Sequence, residues 1–166
     1  VVLMLRRMNR HEQEREVLEF AAMNDSLTGL HSRHALHLHL ARAIEGAAAR
    51  GGALGVLFVD LDGFKPINDR HGHGIGDEVL KVVAGRIRSH ARHDDFPARL
   101  GGDEFVVVID PLPQPDILEH LHARIAQSLE APVMIGELQL EVRASFGLAF
   151  YPEDGDTADT LLDAAD

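Results

Sequence analysis

Apolar positions recur along the chain in two rhythms. From Leu54 to Val59 they run unbroken and largely β-branched, the pattern of a strand covered on both faces. Phe105 to Ile109 repeats it just after Gly101-Gly102, a pair that tolerates positive φ and predicts a hairpin turn. Steps of three and four at Leu36, Leu40, Ala43, Ile44 and Ala47 predict a helix from Ser32 to about Arg50. The same spacing predicts helices over 77–91, through Leu80, Val83, Ala84, Ile87 and Ala91, and over 116–130, through Ile117, Leu118, Leu121, Ile125 and Leu129. Leu5 to Met23 holds neither Gly nor Pro and predicts a leading helix. Its seam of Met4, Met8, His11, Arg15, Leu18 and Ala22 fits a weak coiled coil or an amphipathic lead-in. Val133–Ile135, Leu138–Val142 and Ala144–Phe150 predict short strands, and Thr157 opens a last helix. The order is helix, helix, strand, helix, hairpin, helix, hairpin, helix. It implies an α+β fold with one mixed, mainly antiparallel central sheet flanked by helices. Asn24-Asp25-Ser26, a cluster of turn and capping residues, divides a linker helix at 1–24 from a domain at 25–166.

Charge and composition narrow the function. The 166 residues carry a formal net charge of -11, which disfavours binding to a nucleic-acid polymer, since that rests on neutralising phosphates with Lys and Arg. A nucleotide substrate stays open, because divalent cations can supply positive charge locally. No cysteine is present, so neither a disulfide framework nor a thiolate metal site is available. The eleven histidines lie scattered; the pairs His37/His39 and His120/His122 are two apart on helices and diverge, which argues against zinc. No run of about 18 apolar residues exists to span a bilayer. Val1 to Leu5 is apolar and runs into Arg6, Arg7 and Arg10, which fits the cytoplasmic exit of a membrane helix or an ordinary frayed helix end.

Carboxylates gather where the strands stop. Asp60 and Asp62 end the first apolar run and share one face at period two. Burying them is costly unless they pair or bind a metal. Asp62 also fits a cap of the next helix. Asp103 and Glu104 follow the glycine bend at the mouth of the next strand, on opposite sides of its pleat. Asn68 and Asp77 suit a guanine edge, since an amide both donates and accepts and a carboxylate accepts from N1–H and the exocyclic amine; taken alone, they equally fit a turn residue and a helix cap.

These stretches form longer strings. Gly101 to Phe105 spells GGDEF. Asp60 to Asp77 reads D-x-D-x-F-K-x-x-N-D-x-x-G-H-x-x-G-D, and Asp25 to Arg33 reads D-x-L-T-G-L-x-S-R. Together they resemble the GGDEF diguanylate cyclase family over nearly the whole domain, with Ser32 standing where the family has Asn. The resemblance implies a palm-like nucleotidyl-cyclase fold. It implies two Mg²⁺ ions (Mn²⁺ as a substitute) held by Asp60, the Leu61 carbonyl, Asp103 and Glu104. Glu104 would also help remove the 3′-hydroxyl proton. Lys65 and Arg99 would contact terminal phosphates, Asn68 and Asp77 would hold guanine, and Gly101 and Gly102 would let the substrate lie against the backbone. The reaction implied joins two GTP into cyclic di-GMP, releasing two pyrophosphates across a homodimer. Arg92 and Asp95 fit the family's R-x-x-D inhibitory site for that product, with Arg124 as a second arginine or an exposed solubilising charge. The setting implied is a cytoplasmic bacterial signalling domain, with an inner-membrane parent as one reading of the N-terminal pattern.

The family's final helix continues into a phosphate-contacting Lys and Arg and a last strand, and this sequence stops at Asp166, short of them. Within these residues the C-terminal end of the domain is missing and phosphate binding is expected to be incomplete. The alternative is a silent GTP- or cyclic di-GMP-binding module controlling an attached EAL phosphodiesterase domain, which the style of Ala149 to Gly155 also resembles.

Overall fold

The computed structural model describes residues 2–166, with side chains from residue 9 onward. Helix α1 (Val2–Met23) leads into α2 (Arg33–Arg50), β1 (Leu54–Asp62), α3 (Phe64–His71) and α4 (His73–His90). The hairpin β2 (Phe96–Gly101) and β3 (Glu104–Ile109) follows, then α5 (Pro115–Glu130), β4 (Val133–Ile135), β5 (Leu138–Leu140), β6 (Arg143–Tyr151) and α6 (Ala158–Ala165).

Four strands form the central sheet in the order β2-β3-β1-β6, and every strand pairing in it is antiparallel. The parallel contribution is one isolated bridge, His31 to Ala98. β4 and β5 pair separately as a small hairpin. The sheet is packed on both faces because its strands alternate. Leu57, Val59, Leu61, Phe105, Val107 and Ile109 face α4 and α5, whose Val79, Val83, Ile87, Leu118, Leu121 and Ile125 complete one cluster. Leu54, Val56, Phe58, Val106 and Val108 point the other way, onto α2 and α6 through Leu36, Leu40, Ala47 and Leu161. That double coverage is why β1 is apolar at nearly every position.

Two boundaries depart from the sequence reading for one reason. Residues 64–71 form a helix that the Gly, Pro and Asn content of this stretch concealed. Pro66 sits in its first turn, where the missing N–H costs no hydrogen bond. Gly72, at φ 88°, then separates α3 from α4, which begins at His73 rather than Asp77. Gly76 lies where the two helices touch: a Cβ there would come within 1.7 Å of Asn68 Oδ1. Gly76 therefore serves a close helix crossing, not a loop.

α2 starts at Ser32, whose Oγ accepts from Ala35 N at 3.1 Å, so serine caps in the place of asparagine. α6 opens on a capping box between Thr157 and Thr160. The described side chains of α1 are exposed almost throughout, with Val17, Leu18 and Phe20 between 67% and 70% accessible. Met4 and Met8 of the seam lie outside the described side chains. Among the described residues, no helix is long and apolar enough to cross a membrane.

Candidate active site

Strand register assembles the acid corner. β1 pairs with β3 so that Asp60 stands opposite Glu104, and Leu61 N donates to Asp103 O at 3.1 Å. Glu104 begins β3, whereas Asp103 lies one position earlier, in the two-residue loop Gly102–Asp103. Gly101 and Gly102 adopt φ of 136° and 52°, values that L side chains rarely adopt. No atom lies within 4 Å of where their Cβ atoms would sit, so the backbone face of the turn stands open.

Electrostatics at this corner is unfavourable without a cation. Partial burial, and then repulsion from Asp103, Asp62 and Asp166, raise the pKa of Asp60 above the usual carboxylate range. Glu104 is raised by burial and by Asp60, Asp166 and Asp103, with Arg33 opposing. Asp62 accepts from Ser145 Oγ at 2.7 Å, across the β1–β6 pairing, and does not cap α3, whose N-cap is Gly63. Glu104 also opens on a cavity of about 380 Å³ lined by Arg33, His37, Asp159 and Asp166 from α2 and α6. Sequence reasoning passed over Arg33, His37 and Asp166 as participants. The four-residue step from Arg33 to His37 along α2 was the available signal.

Hard carboxylate oxygens and a strand carbonyl form a donor set suited to Mg²⁺. Among the described residues, no three His, Cys, Asp or Glu side chains are placed to hold an ion unaided. A hard cation that retains waters and borrows substrate phosphate oxygens fits such an open set.

Arg99, expected to meet phosphate, is held by two protein partners. Its Nε and Nη2 donate to Gly102 O at 3.1 and 2.7 Å, and its Nη1 lies 3.2 Å from Asp25 Oδ1. Asp25 Oδ2 in turn accepts from Thr28 N and Oγ1 at 2.8 and 2.7 Å. Burial pushes the Asp25 pKa up, but the Thr28 hydrogen bonds and the Arg99 charge outweigh it and hold the carboxyl below the usual range. One guanidinium thus ties the glycine turn to the loop that leaves α1. The partnership of Asp25 with Arg99, 74 residues apart, had no local signal.

Asn68 and Asp77, the residues expected to meet guanine, sit on α3 and α4. Asn68 Oδ1 is buried with no hydrogen-bond partner in the structure, an orphan that a ligand N–H would satisfy. Asp77 is exposed on the following helix, and Lys65 is exposed in the first turn of α3. Arg92, Asp95 and Arg124 come together: all three line one cavity of about 200 Å³ between the β2 entrance and α5. Asp95 Oδ2 accepts from Arg92 N at 2.7 Å, closing the turn that begins β2. Arg124 lines this cavity and is at the same time exposed.

The family described as "Diguanylate cyclase, GGDEF domain" matches residues 22–166. The diguanylate cyclase TpbB of Pseudomonas aeruginosa is 40% identical over 158 residues, 95% of this chain and 36% of its own length. The bifunctional diguanylate cyclase/cyclic di-GMP phosphodiesterase MucR of the same species is 43% identical, over 92% of this chain and 22% of its own length. The chain therefore spans between about a fifth and a third of these relatives. Among solved structures, the coiled coil and GGDEF domain of DgcB from Caulobacter crescentus, in complex with c-di-GMP, matches with a TM-score of 0.87 at 25% identity, covering 96% of this chain and 85% of that one.

Proposed function

The chain belongs to the diguanylate cyclase GGDEF domain family, and from that premise we propose that it condenses two GTP into cyclic di-GMP. The observation that carries this reading is the β1–β3 register, which sets Asp60 against Glu104 with Asp103 in the adjoining loop. In the reaction, the 3′-oxygen of each GTP forms a bond to the α-phosphorus of the other. The Pα–O bond to the β-phosphate breaks, and pyrophosphate leaves. One domain holds one GTP, so turnover takes two domains face to face.

Each residue contributes by placement. Asn68 and Asp77 hold the guanine edge, and the unpartnered Asn68 Oδ1 supports that assignment. Lys65, exposed at the start of α3, meets phosphate. Gly101 and Gly102 leave their backbone bare to the substrate. Glu104 accepts the 3′-hydroxyl proton, directly or by water, and its raised pKa suits a base of moderate strength. Arg99 is a positioning residue here: it holds the Gly102 carbonyl and Asp25, and so fixes the turn that carries Asp103. Asp60, the Leu61 carbonyl, Asp103 and Glu104 would hold magnesium, which when bound supplies the positive charge that shields the phosphates. Arg92, Asp95 and Arg124 would bind the cyclic product and restrain the enzyme, supported by their common cavity.

Incubating the full-length protein with GTP and Mg²⁺ should yield cyclic di-GMP, and Asp103→Ala should yield none. Product no greater than that of Asp103→Ala would overturn the cyclase reading. A second reading, a silent nucleotide-binding module governing an attached phosphodiesterase domain, is favoured by the similarity to relatives named as cyclic di-GMP phosphodiesterases alone. It calls for GTP or cyclic di-GMP binding without turnover in the same assay. Arg92→Ala should relieve product inhibition while sparing the initial rate, and equal inhibition of both proteins would remove that assignment.

A further inference from the structure

Two cavities, not one, meet at the Arg92–Asp95 turn. The first, between β2 and α5, holds Arg124. The second, of about 340 Å³, shares Arg92 and Asp95 with it and adds Arg88, His93 and His31, over a wall of Gly29, Leu30 and Pro97. Its charged and polar lining is two guanidiniums, two imidazoles and a single carboxylate. One oxygen of that carboxylate is already taken by the Arg92 backbone N–H. Arg88 is fixed from behind: its Nη2 donates to Thr28 O at 2.8 Å, which leaves the remaining N–H groups of the fork available to a ligand. Basic residues in the last turn of α4 also offset the helix dipole. That role accounts for Arg88 in sequence, but not for its convergence with His31 and His93 on one cavity. On a chain of net charge -11, this is a cleft in which cationic groups prevail.

We propose that this second cavity is an anion chamber, receiving through Arg88 and His93 a phosphodiester of the same cyclic dinucleotide that Arg92 and Asp95 hold from the other side. The inference rests on the inhibitory-site reading and extends it. A ligand seated there touches Gly29 and Leu30, in the loop whose Asp25, itself bonded by Thr28, holds Arg99. Occupancy thereby reaches the loop that braces the catalytic turn.

The test is binding of cyclic di-GMP, by calorimetry on the full-length protein, to wild type, His93→Ala, Arg88→Gln and Arg92→Ala. His93 is exposed, and a glutamine at 88 retains an N–H donor for the Thr28 carbonyl, so the fold should stand; thermal unfolding checks this. Losing one charge-assisted contact should weaken binding about tenfold in Arg88→Gln, with a smaller loss in His93→Ala and a shallower salt dependence in both. If Arg92→Ala loses binding while the Arg88 and His93 variants bind as wild type does, the chamber proposal is wrong and the inhibitory site stands. If wild type and Arg92→Ala bind alike, the inhibitory site fails and takes the chamber with it. Inorganic pyrophosphate is the second probe. Should its binding, and not that of the dinucleotide, depend on Arg88 and His93, the chamber is a separate anion site and the shared-ligand proposal is overturned.

Discussion

The two ends of strand β2 live under opposite electrostatics. At its entrance, the Arg92–Asp95 turn is satisfied internally: Asp95 closes on the Arg92 backbone, and Phe96 is sandwiched between His31 and His39, with ring centroids 3.8 and 3.9 Å apart and planes within 7°. At its exit, Asp60, Asp103 and Glu104 repel one another, and Asp166 adds to the load. The same short strand joins a turn whose backbone is settled, with the guanidiniums of Arg88 and Arg92 left over for an anion, to a corner of like charges that calls for a cation.

The strongest way to break this contrast is to remove one charge at the exit. Asp60→Asn should lower cyclase activity by about a thousandfold or more, because the hard donor set for the cation is lost. It should also raise the metal-free melting temperature by about 2–4 °C, through relief of repulsion. A fall in that temperature would mean that the acid corner is not strained.

Cutting the tether between loop and turn should have the next largest effect. Asp25→Ala leaves the Arg99 guanidinium without its carboxylate partner. We expect a loss of roughly 1–3 kcal/mol in stability and a drop of about tenfold to a hundredfold in kcat, with little change in KM. A change confined to KM would place Arg99 on the substrate instead.

Adding Mg²⁺ sharpens the comparison without mutation. Asp60 and Glu104 have raised pKa values, so the folded state holds their protons over a range where the unfolded chain has released them. Their contribution to stability is present below the unfolded pKa and is lost as pH rises through the folded pKa. At neutral pH, then, millimolar Mg²⁺ should raise the melting temperature by a few degrees. At pH 4 it should do less, and in Asp60→Asn less still.

The smallest expected effect belongs to the entrance. Burial pushes both His31 and His39 below the usual imidazole pKa. His39 is also raised by Asp110, while His31 and Arg42 lower it. The unfolded chain therefore takes up these protons first as pH falls. Stability should decline as pH drops from about 6.5 towards the depressed folded values. In His39→Gln that decline, followed by thermal unfolding, should shrink. An unchanged profile would show that the stack does not sense protons.

Much of this was legible in the chain. The double-faced burial of β1, the hairpin at Gly101-Gly102 and the α2 stripe follow from period and local turn chemistry, which neighbouring residues decide among themselves. The motif spacing also placed Asp60, Asn68, Asp77, Asp103 and Glu104 in order. The α3 helix was hidden because Pro66 and the glycines look like breakers until the contact between Asn68 and Gly76 is seen.

Sequence alone determined every element of the central sheet and its covering helices except α3, the alternation of faces and the identity of the chemical groups, since each depends on residues within a few positions. Only the tertiary structure decided that β6 lies against β1, that Asp25 holds Arg99 and that Arg124 lines one cavity with Arg92 and Asp95. Those pairings join residues far apart along the chain. Long-range packing and charge select them, and no local pattern encodes which distant partner will be met.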